Sequence, residues 1–189
     1  MYEIEKKAYL RDEVLDKIKN IANFKYYVEK KDVYFTNVAG RKVNIYTDPI
    51  FRIREENGKK ILSYKDKSFN QDTEVNKEFE IDITSVDIDK IKDFFKYMGI
   101  YKIIEKTKKI SLYTIENYKG FYLNIECNEI EGIGRFVEVE IILDNKEVIE
   151  EAVSVIDSFF KEIGIREKEI EKRYYIDILM ERENEVFNC

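Results

Sequence analysis

The segment Glu3-Ile4-Glu5-Lys6-Lys7, close to the start of the chain, combines an apolar–polar alternation with an unusual set of charges. If the segment is a β-strand, Glu3, Glu5 and Lys7 share one face and the apolar side chains share the other. Two adjacent carboxylates can hold one hard divalent cation, and a neighbouring lysine can contact the phosphate oxygens that such a cation bridges. A solvated edge strand has the same pattern, so these five residues alone leave both interpretations open.

Composition narrows the class of protein. With 189 residues, 44% of them hydrophobic and 38% charged, the chain is typical of a soluble globular protein, and we predict one domain over residues 1–189. A net charge of −6 opposes general nucleic-acid binding, because a polyanionic partner needs a basic surface. Two cysteines and no histidine argue against a zinc site and a disulfide framework. We expect a cytoplasmic protein without a membrane span, since no leader and no apolar run near 18 residues is present.

Periodicity predicts helices and strands in alternating groups. Apolar stripes predict helices over Arg11–Ile21, from the Thr84-Ser85 start signal to Gly99, over Glu147–Ile163 and over Tyr174–Arg182. Alternation predicts strands over 2–7, 24–35, 50–54, 61–65, 78–83, 101–113, 121–128 and 136–143. Asp66–Thr73 reads as a polar loop, and Asn57-Gly58 predicts a tight hairpin turn. Strands joined by hairpins are antiparallel, so the pattern indicates an α+β fold and not a parallel α/β fold.

Almost every predicted strand has one apolar face and one ionic face. The helices can cover the apolar faces, which leaves the ionic faces either open to water or curled around one another inside a barrel. Three Glu-x-Glu pairs in one sheet are more acidic than solubility requires, which favours a barrel with a wet, charged interior. The ionic positions are Glu3, Glu5, Lys7, Arg52, Arg54, Ser63, Lys65, Glu78, Glu80, Lys106, Lys108, Asn124, Glu126, Asn128, Glu138 and Glu140.

The order and spacing of these motifs resemble the CYTH superfamily, which groups class IV adenylyl cyclases with thiamine and inorganic triphosphatases. Glu3–Lys7 is similar to the family's E-x-E-x-K motif, and the resemblance continues almost to the end of the chain. The other matching blocks are Lys31–Phe35, Thr47-Asp48, Phe51–Glu55, Leu62–Lys65, Glu78–Glu80, Lys106–Lys109 and, closest of all, Glu129–Glu140. Each block is weak by itself, but their common order is specific.

The resemblance implies an antiparallel β-barrel of about eight strands that forms a closed tunnel, with helices packed on its outside. The tunnel would take a triphosphate such as ATP, thiamine triphosphate or inorganic triphosphate, with Mg²⁺ or Mn²⁺ as cofactor. A homodimer is common among such barrels. Carried over by motif, the metal ligands are Glu3, Glu5, Glu138, Glu140 and Asn128, the catalytic cations are Lys7, Lys65 and Lys106, and the substrate-binding residues are Arg52, Arg54, Lys108, Glu78 and Glu80.

Three functions stay open at this point. The first is a metal-dependent enzyme, either a cyclase that converts ATP to cyclic AMP and pyrophosphate or a triphosphatase. The second is a non-catalytic triphosphate or polyphosphate binder, because Asn128 stands where the family usually has an aspartate, and an amide cannot act as a base. Lys108 likewise replaces the usual arginine and offers a point charge instead of a bidentate fork. The third is an interaction module with a charged sheet.

Overall fold

The computed structural model describes the backbone of residues 2–70 and 73–187, and their side chains apart from 65–70, 74–76 and 184–187. Within these residues the strands are β1 (Tyr2–Tyr9), β2 (Asn23–Thr36), β3 (Phe51–Glu56), β4 (Lys59–Asn70), β5 (Thr73–Asp82), β6 (Tyr101–Tyr118), β7 (Phe121–Ile130) and β8 (Gly134–Leu143). The helices are α1 (Asp12–Ile21), α2 (Ile88–Tyr97), α3 (Ile149–Ile163) and α4 (Tyr175–Phe187), and a 3₁₀ turn covers Glu167–Glu169.

The strands form one antiparallel barrel with the hydrogen-bonded order β1-β5-β4-β3-β2-β6-β7-β8. Strand β1 closes the order, because it pairs with β8 on one side and with β5 on the other. The β3–β4 hairpin turns at Asn57-Gly58, whose φ angles of +50° and +77° are those of the tight turn that the Asn-Gly pair favours. The predicted α+β fold with an antiparallel eight-stranded barrel is therefore confirmed.

The chain divides into two compact units. The first contains Met1–Val28, Asp66–Lys77 and Lys108–Lys172, and the second contains Glu29–Lys65, Glu78–Thr107 and Arg173–Cys189. No observation tests the prediction of a single domain over residues 1–189, and it stays a prediction.

The first unit has the larger apolar core. Helices α1 and α3 bury apolar faces against alternate residues of β1, β7 and β8; Ile4, Ile125 and Phe159, for example, are completely buried. Because side chains alternate along a strand, this packing commits the remaining residues of the same strands to the opposite face of the sheet. Those remaining residues include the glutamates of β1 and β8. The core of the first unit thus fixes which way its acidic side chains point.

The second unit contains two smaller apolar clusters. Phe95 of α2 packs with Phe35 and Ile53 on β2 and β3, and Ile176 of α4 packs with Tyr34 and Ile104 on β2 and β6. Among the helices in residues 2–70 and 73–187, none has the length and apolar character that a membrane crossing needs.

Two local predictions differ from the structure, and one charged residue occupies an apolar position. Asp66–Thr73, predicted as a loop, contains the end of strand β4 up to Asn70 and the start of β5 at Thr73, because its backbone joins the sheet despite its polar composition; residues 71 and 72 lie outside the described residues. Helix α2 begins later than the Thr84-Ser85 signal, since Asp87 is its N-cap and its carboxylate accepts from the Asp89 amide. Lys6, on the apolar side of β1, is buried with its ammonium paired to Asp157 of α3.

Candidate functional site

An acidic cluster, defined here as Glu3, Glu5 and Glu140, lies in the first unit. Glu5 of β1 stands directly opposite Glu140 of β8 in the antiparallel pair, and Glu3 lies two residues away on the same face as Glu5. One carboxylate oxygen from each of the three lies within 4.8 Å of the other two. Like charges directly opposite one another destabilise a sheet, so this arrangement favours a neutralising partner.

The pKa of Glu140 reflects the proximity of these carboxylates. Burial, together with the neighbouring carboxylates Glu3 and Glu126, raises the pKa of Glu140 to about 8, against a smaller opposing effect of the hydrogen bond from Asn124. The Asn124 amide donates to Glu140 at 3.1 Å and so orients the carboxylate. Three convergent carboxylates are a donor set that suits Mg²⁺ or Mn²⁺, whose preferred protein ligands are hard oxygens.

A second group, the Lys108 cluster, consists of Lys108, Glu126, Glu138 and Asn128 in the same unit. The Lys108 ammonium lies 2.6 Å from a Glu126 oxygen and is also paired with Glu138. Burial alone would lower the pKa of Lys108, but Glu126, Glu138 and Glu5 outweigh it and the net pKa is raised. Lys108 is therefore a fixed cation held by acids of its own unit.

Asn128 is the most deeply buried member of this cluster. Its side-chain amide donates to Glu138 at 2.8 Å, and the residue is only 2% exposed. Among the described residues, its carbonyl oxygen Oδ1 has no hydrogen-bond partner. A buried amide oxygen without a donor is costly unless a ligand satisfies it, and an amide oxygen is a ligand for hard divalent cations.

Lys7 lies on the same face of β1 as the acidic cluster. It is 4% exposed and stands opposite Glu138 in the β1–β8 pair. Its carbonyl accepts a hydrogen bond from the Glu171 amide at 3.0 Å, which ties this part of β1 to the segment after α3.

A basic cluster, defined here as Arg52, Arg54 and Lys106, lies in the second unit. Its centre is the carboxylate of Asp32, which accepts two hydrogen bonds from Arg54, at 2.8 and 3.0 Å, and lies 3.0 Å from the Lys106 ammonium. Burial would raise the pKa of Asp32, yet Lys106, Arg54 and Arg52 hold it well below its usual range. Asp32 is therefore a buried permanent anion.

The third cation of this cluster has separate partners. Arg52 donates to the Ser63 hydroxyl at 3.0 Å and to Glu78 at 2.5 Å, and its guanidinium is 3.9 Å from Glu80. Glu80 is more than half exposed and Glu78 is largely covered. The Lys65 side chain lies outside the described residues, so its predicted role has no structural counterpart here.

The structure thus distributes most of the predicted site residues over four groups. Glu3, Glu5 and Glu140 converge; Lys108, Glu138 and Asn128 form ion pairs and hydrogen bonds with one another; Arg52, Glu78 and Glu80 meet separately from Arg54 and Lys106. The sequence motifs include Asp32 in the block Lys31–Phe35, but they assign no role to Asp32, Glu126 or Asn124. Strand alternation carried a signal for all three, since each lies on the ionic face of its strand.

The fold and these clusters define a class of protein: an antiparallel barrel whose strands carry buried acidic and basic side chains on one face and helix-covered apolar residues on the other. The model of the CYTH domain family matches residues 1–175, and the chain belongs to this family. The resemblance that the sequence motifs indicated is therefore confirmed.

Individual relatives agree with this assignment. A protein of Methanocaldococcus jannaschii named "putative adenylate cyclase" is 27% identical over 186 residues, which cover 94% of this chain and 98% of the relative. The PH1819 protein of Pyrococcus horikoshii has a similar structure, with a TM-score of 0.81, 26% identity, and coverage of 95% of this chain and 99% of that one. The Hippeastrum protein HpAC1, for which a dominant triphosphatase activity is described, shares the fold at a TM-score of 0.65 and 16% identity, covering 97% of this chain and 96% of that one.

Proposed function

We propose that this protein is a divalent-cation-dependent enzyme that cleaves a triphosphate. The observation that carries the proposal is the acidic cluster, because three carboxylates with oxygens within 4.8 Å of one another repel, and a bound cation relieves that repulsion. Membership of the CYTH family supports the same conclusion. The substrate is a small-molecule triphosphate, either ATP or an inorganic or organic triphosphate.

The residues of the first unit would hold the metal. Glu3, Glu5 and Glu140 supply carboxylate oxygens, and Asn128 with Glu138 extends the set, since Asn128 presents a buried carbonyl oxygen that its own amide orients through Glu138. Bound Mg²⁺ or Mn²⁺ would neutralise phosphate charge and polarise a phosphorus–oxygen bond. Asn124 keeps the Glu140 carboxylate oriented before the cation arrives.

The residues of the second unit would bind phosphate oxygens. Arg52, Arg54 and Lys106 are cations held in fixed places by carboxylates and a hydroxyl, which is the preorganisation that phosphoryl transfer requires. We also propose Lys7 and Lys65 as cationic contacts of the substrate, by their family motifs. Lys108 is different, because its ammonium is already paired with two carboxylates. We therefore propose that its main role is to offset the negative charge of Glu126 and Glu138, and that contact with phosphate is secondary.

Two reactions with different nucleophiles, hydrolysis by water and cyclisation by the ribose hydroxyl, have to be distinguished. In hydrolysis a water oxygen bonds to a phosphorus atom, the anhydride bond breaks, and the water loses its proton. In cyclisation the ribose 3′-oxygen of ATP bonds to the α-phosphorus, pyrophosphate leaves, and the hydroxyl loses its proton. Incubation with ATP and with inorganic triphosphate in Mg²⁺ or Mn²⁺ distinguishes them, since orthophosphate identifies hydrolysis and cyclic AMP identifies cyclisation.

Variants make this assay specific. Glu5→Gln should abolish the metal-dependent product, because it removes a carboxylate from the centre of the acidic cluster. Glu129→Gln is the matched control, since Glu129 is an exposed glutamate on β7 outside every cluster. No product from either triphosphate with either metal would refute the enzymatic proposal.

A triphosphate-binding protein without turnover is the second candidate, and one observation favours it. Asn128 donates its amide to Glu138 and cannot accept a proton from a nucleophile. Calorimetry that shows triphosphate binding without turnover, together with turnover gained in Asn128→Asp, would establish the binder. An Asn128→Asp variant as inactive as the wild type would remove this explanation for the lack of turnover.

A further inference from the structure

We propose that Asp32 is a positioning residue that holds Arg54 and Lys106 in the orientation needed to bind phosphate oxygens. The inference deepens the proposed function and rests on it. Asp32 is itself an anion, so by charge alone it weakens the attraction between the basic cluster and a triphosphate. Its presence at the centre of that cluster therefore needs a reason other than charge.

The contacts with Arg54 give the first part of that reason. Asp32 and Arg54 are directly opposite each other on β2 and β3. The carboxylate accepts from both Nε and Nη2 of the guanidinium, at 2.8 and 3.0 Å. Such a two-point contact fixes the plane of the guanidinium as well as its position. A residue held in this way presents its remaining edge in one defined direction.

The contacts with Lys106 give the second part. A lysine normally has a flexible four-carbon stem and a charge without directional preference. Here the ammonium lies 3.0 Å from Asp32 and within 5.6 and 5.1 Å of the ring centres of Tyr34 and Tyr175. The Tyr34 hydroxyl also donates to the Asp32 carboxylate at 3.2 Å. Asp32 thus joins two cations and an aromatic side chain in one buried network.

The other carboxylate of the cluster provides a comparison. Glu78 accepts a hydrogen bond from Arg52, and its side chain is 18% exposed, whereas the Asp32 side chain is 0% exposed. A carboxylate that is partly accessible to solvent can move aside when a phosphate arrives. A buried carboxylate that holds two cations cannot. Neutralising Asp32 makes the cluster more positive, so a loss of triphosphate binding in Asp32→Asn would come from lost orientation and not from charge.

Titration calorimetry with inorganic triphosphate tests the positioning role of Asp32 in the full-length protein. We expect Asp32→Asn to weaken binding by about tenfold or more, the size of effect typical of residues that orient a ligand-binding side chain. Glu55→Gln, an exposed neighbour of Arg54 on β3, is the control and should bind like the wild type.

Each possible result of this titration supports or overturns the inference. Asp32→Asn that binds as well as the wild type, or better, overturns the inference, and so does an equal weakening in Asp32→Asn and the control Glu55→Gln. If Asp32→Asn does not fold, Tyr34→Phe replaces it, because it removes only the hydroxyl bonded to Asp32; binding weakened about threefold supports the inference, and unchanged binding overturns it. If the wild type itself binds no triphosphate, the proposed function fails instead.

Discussion

Divalent-cation binding at the acidic cluster should release a proton from Glu140. With the pKa of Glu140 raised to about 8, this carboxyl is largely protonated at neutral pH in the metal-free protein. A cation ligand must be deprotonated, so binding and proton release are coupled. The perturbation is therefore the addition of Mg²⁺ at two pH values, one below and one above this pKa.

The size of the effect follows from the pKa. A group with a pKa of about 8 is roughly 0.9 protonated at pH 7 and roughly 0.1 protonated at pH 9, so Mg²⁺ binding should release roughly 0.9 and 0.1 proton respectively. Because Glu140 and Glu3 interact, the pKa belongs to the group of carboxylates, and the release is counted for the whole cluster. The apparent affinity for Mg²⁺ should accordingly rise between pH 7 and pH 9.

Calorimetric titration in two buffers with different ionisation enthalpies measures the released protons directly. The Glu140→Gln variant has no proton to lose at this position and should bind Mg²⁺ more weakly without the pH-dependent release. Binding at pH 7 without proton release would refute the assignment of Glu140 as a protonated ligand. Equal proton release in wild type and Glu140→Gln would place the titrating group elsewhere.

The metal-free protein should also lose stability as the pH rises, because the folded-state pKa of Glu140 lies above the usual value of 4.5 for a glutamate. The folded state then binds more protons than the unfolded state between about pH 4.5 and pH 8, so the free energy of unfolding falls across that interval, as urea titrations with chelator can measure. Lys108→Met should lower the free energy of unfolding by about 3 kcal/mol, since it leaves two acidic partners without their cation. Cys127, whose pKa burial raises to about 12, should resist thiol reagents in the native protein of a Cys189→Ser background and react after unfolding. Gly164→Ala should cost about 1 kcal/mol in urea denaturation, since φ is +86° at the end of α3.

The fold could be predicted from sequence wherever a local pattern decides it. Three elements were predictable from local sequence, because hydrophobic period and turn chemistry are local properties. They are strand β1, the Asn57-Gly58 turn and helix α3. Asp66 to Asn70 could not be predicted, since a polar stretch becomes a strand only through its pairing with other strands of the sheet, which its own composition does not show. Lys6 illustrates the same limit, because its partner Asp157 lies on a helix about 150 positions later.

The candidate site could be predicted as a set of residues but not as a set of pairs. Alternation places Glu3, Glu5 and Glu140 on ionic faces, and it places Asp32 on one as well. Which acids meet one another and which meet a cation depends on strand register, which no local pattern fixes. Asp32 lies in a recognised motif block, but its role could not be predicted, because its contacts with Arg54 and Lys106 depend on which strands pair.

Glu138 and Glu140 show why the register matters for function. They lie two residues apart on one face of β8, and by sequence they are equivalent members of one Glu-x-Glu motif. Glu138 stands opposite Glu126, with the Lys108 ammonium bound to both, so its charge is neutralised by the protein itself. Glu140 stands opposite Glu5 and Asn124, and neither of these brings a positive charge to it. A cation from solution therefore gains more at Glu140 than at Glu138, and we expect Glu140→Gln to impair metal binding more severely than Glu138→Gln.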